Sequence, residues 1–174
     1  MRVTVLASRR STARSVPINE QNLESRLMAR ILSSRDFGLL IDLDGNVGPR
    51  GGNERSDVGI VQFALRLLTE GEPTPFGREL AALTKPAGLG PIGIDGFFGP
   101  QTKTFIDTYQ ALRVRSPGPS TNALPRPDGN FGHSQKTSWN FVLLEDEFKR
   151  PMVDQLRFDP RAPAFLKPFF LMGA

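Results

Sequence analysis

The residue types that carry most enzyme chemistry are scarce in this chain of 174 residues, which has no cysteine and one histidine, His133. A hydrolytic zinc site needs two or three imidazole or carboxylate ligands, and a serine triad needs a histidine as base. His133 follows an Asp-Gly turn where a helix is expected to start, which indicates a structural role. Glu145 and Glu147 flank Asp146 and precede Lys149, a pattern typical of a solvated helix face rather than a glycosidase pair. The sequence therefore predicts no catalytic residue, no metal site and no cofactor.

The charge pattern bears on partners. The net charge is +4, and the densest basic cluster, Arg9, Arg10 and Arg14, has no aromatic residue beside it for stacking on bases. Residues 1–15 contain no apolar stretch of about 7–15 residues, so they do not form a secretory signal. No run is long and apolar enough to span a membrane. We therefore expect neither a nucleic-acid nor a membrane partner, and a protein made in the cytoplasm.

Three helices follow from the spacing of apolar residues in the middle of the chain. The first is predicted to be capped at Ser56, with Asp57 in its first turn near the positive end of the helix dipole. Its apolar residues recur at gaps of three and four and share one face, which needs a partner to pack against. Further helices are predicted over residues 75–84 and 100–114. The apolar positions of the first helix are Val58, Val61, Leu65 and Leu68.

An Asp-Gly turn leads into the third of these helices. It reads Asp95-Gly-Phe-Phe-Gly-Pro-Gln-Thr, in which Asp-Gly favours a turn with positive φ and Pro100 suits the first helical position. The turn recurs at Asp128, where six of ten positions match at an offset of 33 residues, and more weakly at Asp44. The sequence therefore reuses one turn-into-helix unit; whether it arose by duplication stays open.

Two helices joined by a loop and closed by this turn resemble the peptidoglycan-binding domain family, the small three-helix module of cell-wall hydrolases. The resemblance covers about fifty residues and implies a mainly α, peptidoglycan-binding-domain-like helical bundle that binds glycan or stem peptide without cleaving it, in a shallow groove beside the turn. The ligand-binding positions that it implies are Asp57, Gln62, Asp95, Gly96, Phe98, Gly99 and Thr102. Further matching positions are Val58, Leu65, Pro100 and Gln110.

Most of these matching positions also have an explanation in folding alone. Backbone angle accounts for Gly96 and Gly99, and hydrogen bonds within the first helical turn account for Asp57 and Thr102. Packing accounts for Phe98. The residues therefore indicate the fold more strongly than they indicate the ligand.

The flanking segments extend the unit on both sides. Residues 1–17 are interpreted as an extended arm, followed by a helix to about residue 33. Residues 37–43 form either a short strand or a buried connector. A linker over 116–127 and a helix over 138–148 follow the unit. This divides the chain into 1–37, 38–115, 116–150 and 151–174. The stripe of the helix before residue 33 consists of Leu23, Leu27, Ile31 and Leu32.

The C-terminal tail is rich in proline and phenylalanine. Its prolines 160, 163 and 168 forbid a long helix and suggest an extended apolar strap, which either packs back on the domain or docks on a partner. The residues predicted to dock are Phe165, Leu166, Phe169, Phe170 and Leu171.

Two functions remain open at this point. The first is a non-catalytic peptidoglycan-binding module attached to a larger assembly. The alternative is a structural adaptor protein of a phage tail or contractile injection particle, which keeps the fold without the ligand. Either one places the protein at the cell envelope or in a particle.

Overall fold

The computed structural model describes residues 30–34, 38–70, 74–84, 88–115, 128–132 and 152–167. This part of the chain is mainly α, as the sequence predicts. The elements, in order, are strands β1 (Arg30–Ser34) and β2 (Gly38–Asp42), helices α1 (Arg55–Glu70), α2 (Pro75–Thr84), α3 (Pro100–Arg115) and α4 (Met152–Phe158), and a 3-10 helix (Ala164–Leu166). The predicted arm, linker, fourth helix (138–148) and His133 lie outside the described residues.

The three central helices lie where the apolar spacing predicts them. Helix α1 begins at Arg55, one residue before the predicted cap, so that Ser56 lies in the first turn. Helix α2 has the predicted bounds, and α3 ends one residue later than predicted. None of the described helices is long and apolar enough to cross a membrane.

The first correction concerns the N-terminal flank, where residues 30–33 were predicted to end a helix. They belong instead to β1, which pairs antiparallel with β2 in a register that sets Arg30 opposite Asp42. Once residues 38–42 are extended, their backbone groups need partners, and the preceding segment is the nearest chain that can supply them. This pairing outweighs a weak helix propensity. The hairpin also crosses the predicted boundary at residue 37; residues 19–29 lie outside the described range.

The core is built around α1, which is apolar on nearly all sides. Helix α2 packs against both α1 and α3. Tyr109 of α3 contacts Phe76 of α2 edge to face at 5.5 Å and lies 5.6 Å from the ring of Phe131. Because α1 is central, its buried polar side chains Asp57 and Gln62 can reach the turns that surround it. Its fully buried apolar residues are Val58, Ile60, Val61, Phe63, Ala64, Leu65, Leu67 and Leu68.

The second correction concerns the tail, which is not an extended strap over residues 152–158. Helix α4 forms there and packs against β2, with Val153 and Leu156 buried. The prolines do prevent a longer helix, but the next proline along the chain is Pro160, which leaves room for two helical turns. The 3-10 helix then packs on α1 with Leu166 fully buried. The described part of the tail therefore packs back on the domain.

Candidate functional site

The turn at Asp95 is hydrogen-bonded to Gln62 of α1, a residue that is only 2% exposed. The Gln62 Nε2 donates to Asp95 Oδ1 (2.9 Å), to Thr102 Oγ1 (3.0 Å) and to the Phe97 carbonyl (3.1 Å). Its Oε1 accepts from the backbone N–H groups of Gly96 (2.9 Å) and Asp95 (3.1 Å). Both ends of the Gln62 amide are therefore committed to the turn, and Gln62 and Thr102 act as structural residues.

Asp95 faces solvent but is fixed by the same network. Its Oδ1 accepts from the Phe97 N–H (2.8 Å) and from Gln62. These two hydrogen bonds hold the pKa of the Asp95 carboxyl below its ordinary value, and the charge of Arg55 contributes in the same direction. Among the described residues none donates to Asp95 Oδ2. The turn thus presents one ionised carboxylate oxygen to solvent in a fixed position.

Arg55 lies close to two aromatic rings beside this turn. Its guanidinium carbon is 5.3 Å from the centroid of the Phe97 ring and 4.8 Å from that of Phe165. Cations are attracted to the faces of aromatic rings, and the planar guanidinium also stacks on them. Phe97 is 64% exposed, so its ring is open to solvent. The tail therefore supplies one wall of the site.

Two glycines of the turn have different reasons to be glycine. Gly96 has φ +75°, and a Cβ there would lie 2.8 Å from the Arg55 carbonyl oxygen and 3.2 Å from the Phe165 ring. The prediction from backbone angle holds for Gly96 but is wrong for Gly99, which lacks a positive φ. A Cβ at Gly99 would meet no described atom within 4 Å. Gly99 is therefore an open edge of the turn.

Asp57 serves a different turn. It is fully buried, and its carboxylate accepts from the backbone N–H groups of Gly45 (2.8 Å) and Asp44 (3.4 Å). The explanation from a first-turn hydrogen bond is therefore wrong, because the carboxylate reaches across to the turn at Asp44. Burial raises the pKa of Asp57 to about 7, against the lowering effect of these two hydrogen bonds. Its position leaves no surface for a ligand.

The turn at Asp128 repeats the geometry of the turn at Asp95. The Gln110 Oε1 of α3 accepts from the Gly129 N–H at 2.8 Å, and its Nε2 donates to the Asn130 carbonyl at 2.9 Å. Gly129 has the same φ of +75° as Gly96, and Asp128 Oδ1 accepts from the N–H two residues later. Helices α1 and α3 therefore each follow one turn and use a glutamine to hold the next.

The turns at Asp44 and Asp128 are joined by backbone pairing. Val47 and Phe131, both fully buried, exchange two backbone hydrogen bonds of 2.8 Å. A Cβ at Gly48 would lie 2.6 Å from the Gly129 carbonyl oxygen, so this approach requires glycine. The loop from here into α1 is held by Asn53, whose side chain bonds both backbone groups of Gly48. The turn at Asp95 has no such backbone partner among the described residues.

The predicted site residues therefore separate into two groups. Asp95 and Gly99 are together on the open side of the Asp95 turn, and Phe98 is half-buried against the core. The other predicted ligand positions, Asp57, Gln62, Gly96 and Thr102, are buried and bonded within the chain or closely packed.

The residues predicted to dock on a partner lie partly at this site. Phe165 is half-buried over Gly59 and Gly96, and a Cβ at Gly59 would lie 2.7 Å from its ring. Leu166 is fully buried and has no surface to offer to a partner. Phe169, Phe170 and Leu171 lie outside the described residues.

Sequence reasoning missed Arg55 and Phe97 as site residues. A signal was present for Phe97, because two consecutive phenylalanines in a tight turn cannot both point into the core. Arg55 had no such signal, since its aromatic neighbours are distant in sequence. Within the described ranges, no group of three or more His, Cys, Asp or Glu side chains could hold a metal ion.

A separate apolar cavity of about 210 Å³ lies between α1, α2 and the loop before the Asp95 turn. Its one ionisable lining residue, Glu70, is paired with Arg66 at 2.9 Å. The cavity shares no lining residue with the Asp95 turn and contains no pair of groups suited to acid–base chemistry.

A scan against protein-family models finds no match to the chain. Searches of curated proteins and of solved structures likewise find no significant match.

Proposed function

We propose that this protein is a non-catalytic peptidoglycan-binding module, built on a peptidoglycan-binding-domain-like helical bundle, that acts as part of a larger assembly at the cell envelope. The observation that carries the proposal is the open side of the Asp95 turn. There the Asp95 carboxylate, the Phe97 ring and the Gly99 edge face solvent on a turn that Gln62 holds rigid. Preorganised polar groups beside an exposed aromatic ring are typical of a recognition surface.

Two further features support this choice. Gly99 is free of any conformational or packing demand from the described residues, and a bare backbone edge allows a polymer to approach closely. The resemblance of residues 57–110 to the family supplies the ligand class.

The test is co-sedimentation of the purified protein with sacculi at low and moderate salt, comparing Asp95→Asn with Asp128→Asn. Both aspartates close the same kind of turn, but Asp128 belongs to the turn that pairs within the chain. We expect salt-resistant binding by the wild type, a weaker bound fraction for Asp95→Asn and no change for Asp128→Asn. A folded wild-type protein that stays in the supernatant at both salt concentrations contradicts the proposal.

One observation favours the structural adaptor as a second candidate. Asp57, Gln62, Gly96 and Thr102 are engaged inside the chain, so the family pattern here can persist for folding alone. The adaptor predicts a well-folded protein with no affinity for sacculi. Deleting residues 159–174 is an unsuitable test of it, because Ala162 and Leu166 are buried in the core. Substituting the 75% exposed Phe158 with glutamate, and measuring incorporation into the assembly, tests the tail without removing core residues.

A further inference from the structure

The open side of the Asp95 turn carries two opposite charges that do not pair with each other. Arg55 is exposed, and among the described residues it forms neither a hydrogen bond nor an ion pair. Its guanidinium contacts the rings of Phe97 and Phe165, and its N–H donors are left for an acceptor outside the described residues. A side chain with this much rotational freedom is otherwise rarely held in one place on a surface.

Asp95 provides the matching negative group. Gln62 and the Phe97 N–H fix its Oδ1, while no described residue donates to its Oδ2 and the residue is exposed. The Arg55 charge is near enough to lower the pKa of Asp95, yet the two side chains form no ion pair. A fixed cation and a fixed anion therefore stand side by side, each with a free hydrogen-bonding edge.

This arrangement discriminates between kinds of ligand. A lone anion at Arg55 is repelled by Asp95, and a lone cation at Asp95 is repelled by Arg55. A neutral sugar can accept hydrogen bonds from Arg55 and donate to Asp95, but it carries no charge to complement theirs. A group with an ammonium and a carboxylate on one carbon satisfies both sides at once.

We propose that Arg55 and Asp95 together bind a zwitterionic amino-acid end, with the Arg55 guanidinium on the carboxylate and the Asp95 Oδ2 on the ammonium. The exposed Phe97 ring packs against the aliphatic chain that leads to this group. This inference rests on the proposed function and sharpens it: the ligand is the stem peptide at a diamino acid with a free zwitterionic end, not the glycan.

The experiment compares two kinds of sacculi. In one the stem peptide carries meso-diaminopimelate, whose uncrosslinked side chain ends in a carboxylate and an ammonium; in the other it carries lysine, which has the ammonium alone. We expect wild-type protein to bind the diaminopimelate sacculi about tenfold more tightly, since the lysine ligand leaves Arg55 without a partner. Arg55→Gln removes the cation and is expected to erase most of this preference by weakening only the diaminopimelate binding.

Two controls keep the interpretation clear. Arg157→Gln removes an exposed arginine from α4 and should leave the preference unchanged. Free meso-diaminopimelate, added as competitor, should release the protein if the amino-acid end alone is recognised. Nα-acetyl-lysine amide, which presents the side-chain ammonium without a carboxylate, should not. Circular dichroism of each variant establishes that it is folded.

The outcomes separate this inference from the proposed function. Equal binding to both kinds of sacculi, a preference for lysine sacculi, or a preference that survives Arg55→Gln overturns the inference while peptidoglycan binding stands. Failure of folded wild type to bind either kind overturns both.

Discussion

The turns at Asp95 and Asp128 have the same backbone and opposite surroundings. In both, an aspartate accepts the N–H two residues later, a glycine takes φ +75° and a buried glutamine holds the backbone. The Asp128 turn continues into the fully buried Phe131, which pairs with Val47. The Asp95 turn instead exposes Phe97 to solvent.

The difference teaches that the turn motif specifies conformation but not role. One copy closes the fold by pairing with the first turn, and the other leaves its outer side free. Function therefore has to be argued from what surrounds a turn rather than from the motif. The following predictions test whether the two turns differ in the way their surroundings indicate.

The largest effect is expected from the glutamines. Gln62→Leu leaves buried donors and acceptors of the Asp95 turn unsatisfied, at a cost of about 3–4 kcal/mol in the free energy of unfolding. Among the described residues, Gln110→Leu removes fewer hydrogen bonds and should cost about 2 kcal/mol. Urea denaturation measures both. Gln101→Leu, a half-exposed glutamine with long hydrogen bonds, is the control and should change stability by less than about 0.5 kcal/mol. Similar costs for all three substitutions would contradict the assigned roles.

The glycines should give the next largest effect. Gly96→Ala combines a left-handed backbone with a clash against the Arg55 carbonyl and should cost about 2–3 kcal/mol. Gly129→Ala has the same φ but meets the movable Asp107 carboxylate at 3.2 Å, so about 1–2 kcal/mol is expected. Gly99→Ala should cost only a few tenths, about the difference between glycine and alanine at a helix start. Thermal unfolding of the three variants measures the order of these costs. A larger cost for Gly99→Ala than for Gly96→Ala would contradict the roles assigned to the two glycines.

The Asp44 turn is expected to lose stability as pH rises, because the buried Asp57 that holds it has a raised pKa. The pKa of Asp57 is raised from 3.8 to about 7, so the folded state holds a proton that the unfolded chain has lost between these values. Stability should therefore be highest below about pH 4, fall as pH rises to about 7, and level off above that. Denaturation curves at a series of pH values measure this change. In Asp57→Asn, which keeps an acceptor but cannot ionise, stability should no longer fall with pH across this range. Asp154→Asn, at an exposed position on α4, should keep the wild-type slope.

The smallest effect on stability is expected from Phe97→Ala. The side chain is 64% exposed, so its loss should change the free energy of unfolding by less than about 0.5 kcal/mol. If the proposed function holds, the same change weakens binding to sacculi, because the ring forms the open wall of the site. A destabilised variant with unchanged binding would assign Phe97 to the fold instead.

Much of the fold could be predicted because its signals are local. The bounds of α2 follow from Pro75 and the apolar spacing after it, and Gly96 follows from the Asp-Gly turn. Strand β1 could not be predicted in the same way, since its conformation depends on pairing with β2 rather than on its own residues. Helix α4 fits between Pro151 and Pro160, so prolines that exclude a long helix do not exclude this short one.

The candidate site was predictable only in part. Resemblance pointed to Gln62 and Asp95, but their hydrogen bonds join residues that are distant in sequence. The contact of Arg55 with Phe97 and Phe165 brings together three segments with no shared local pattern. Such a contact depends on where the tail packs, which periodicity does not specify.

The pairing of Val47 with Phe131 has a consequence for how the chain matures during synthesis. Each glutamine-bearing helix leaves the ribosome before the turn that its glutamine holds. The turns at Asp95 and Asp128 can therefore form in order from the N-terminus. The Asp44 turn, although made first, gains its backbone partner only after residue 131 has been added. We therefore expect nascent chains arrested before residue 131 to leave Val47 open to proteolysis, and longer ones to protect it. The first turn to be synthesised would then be the last to close.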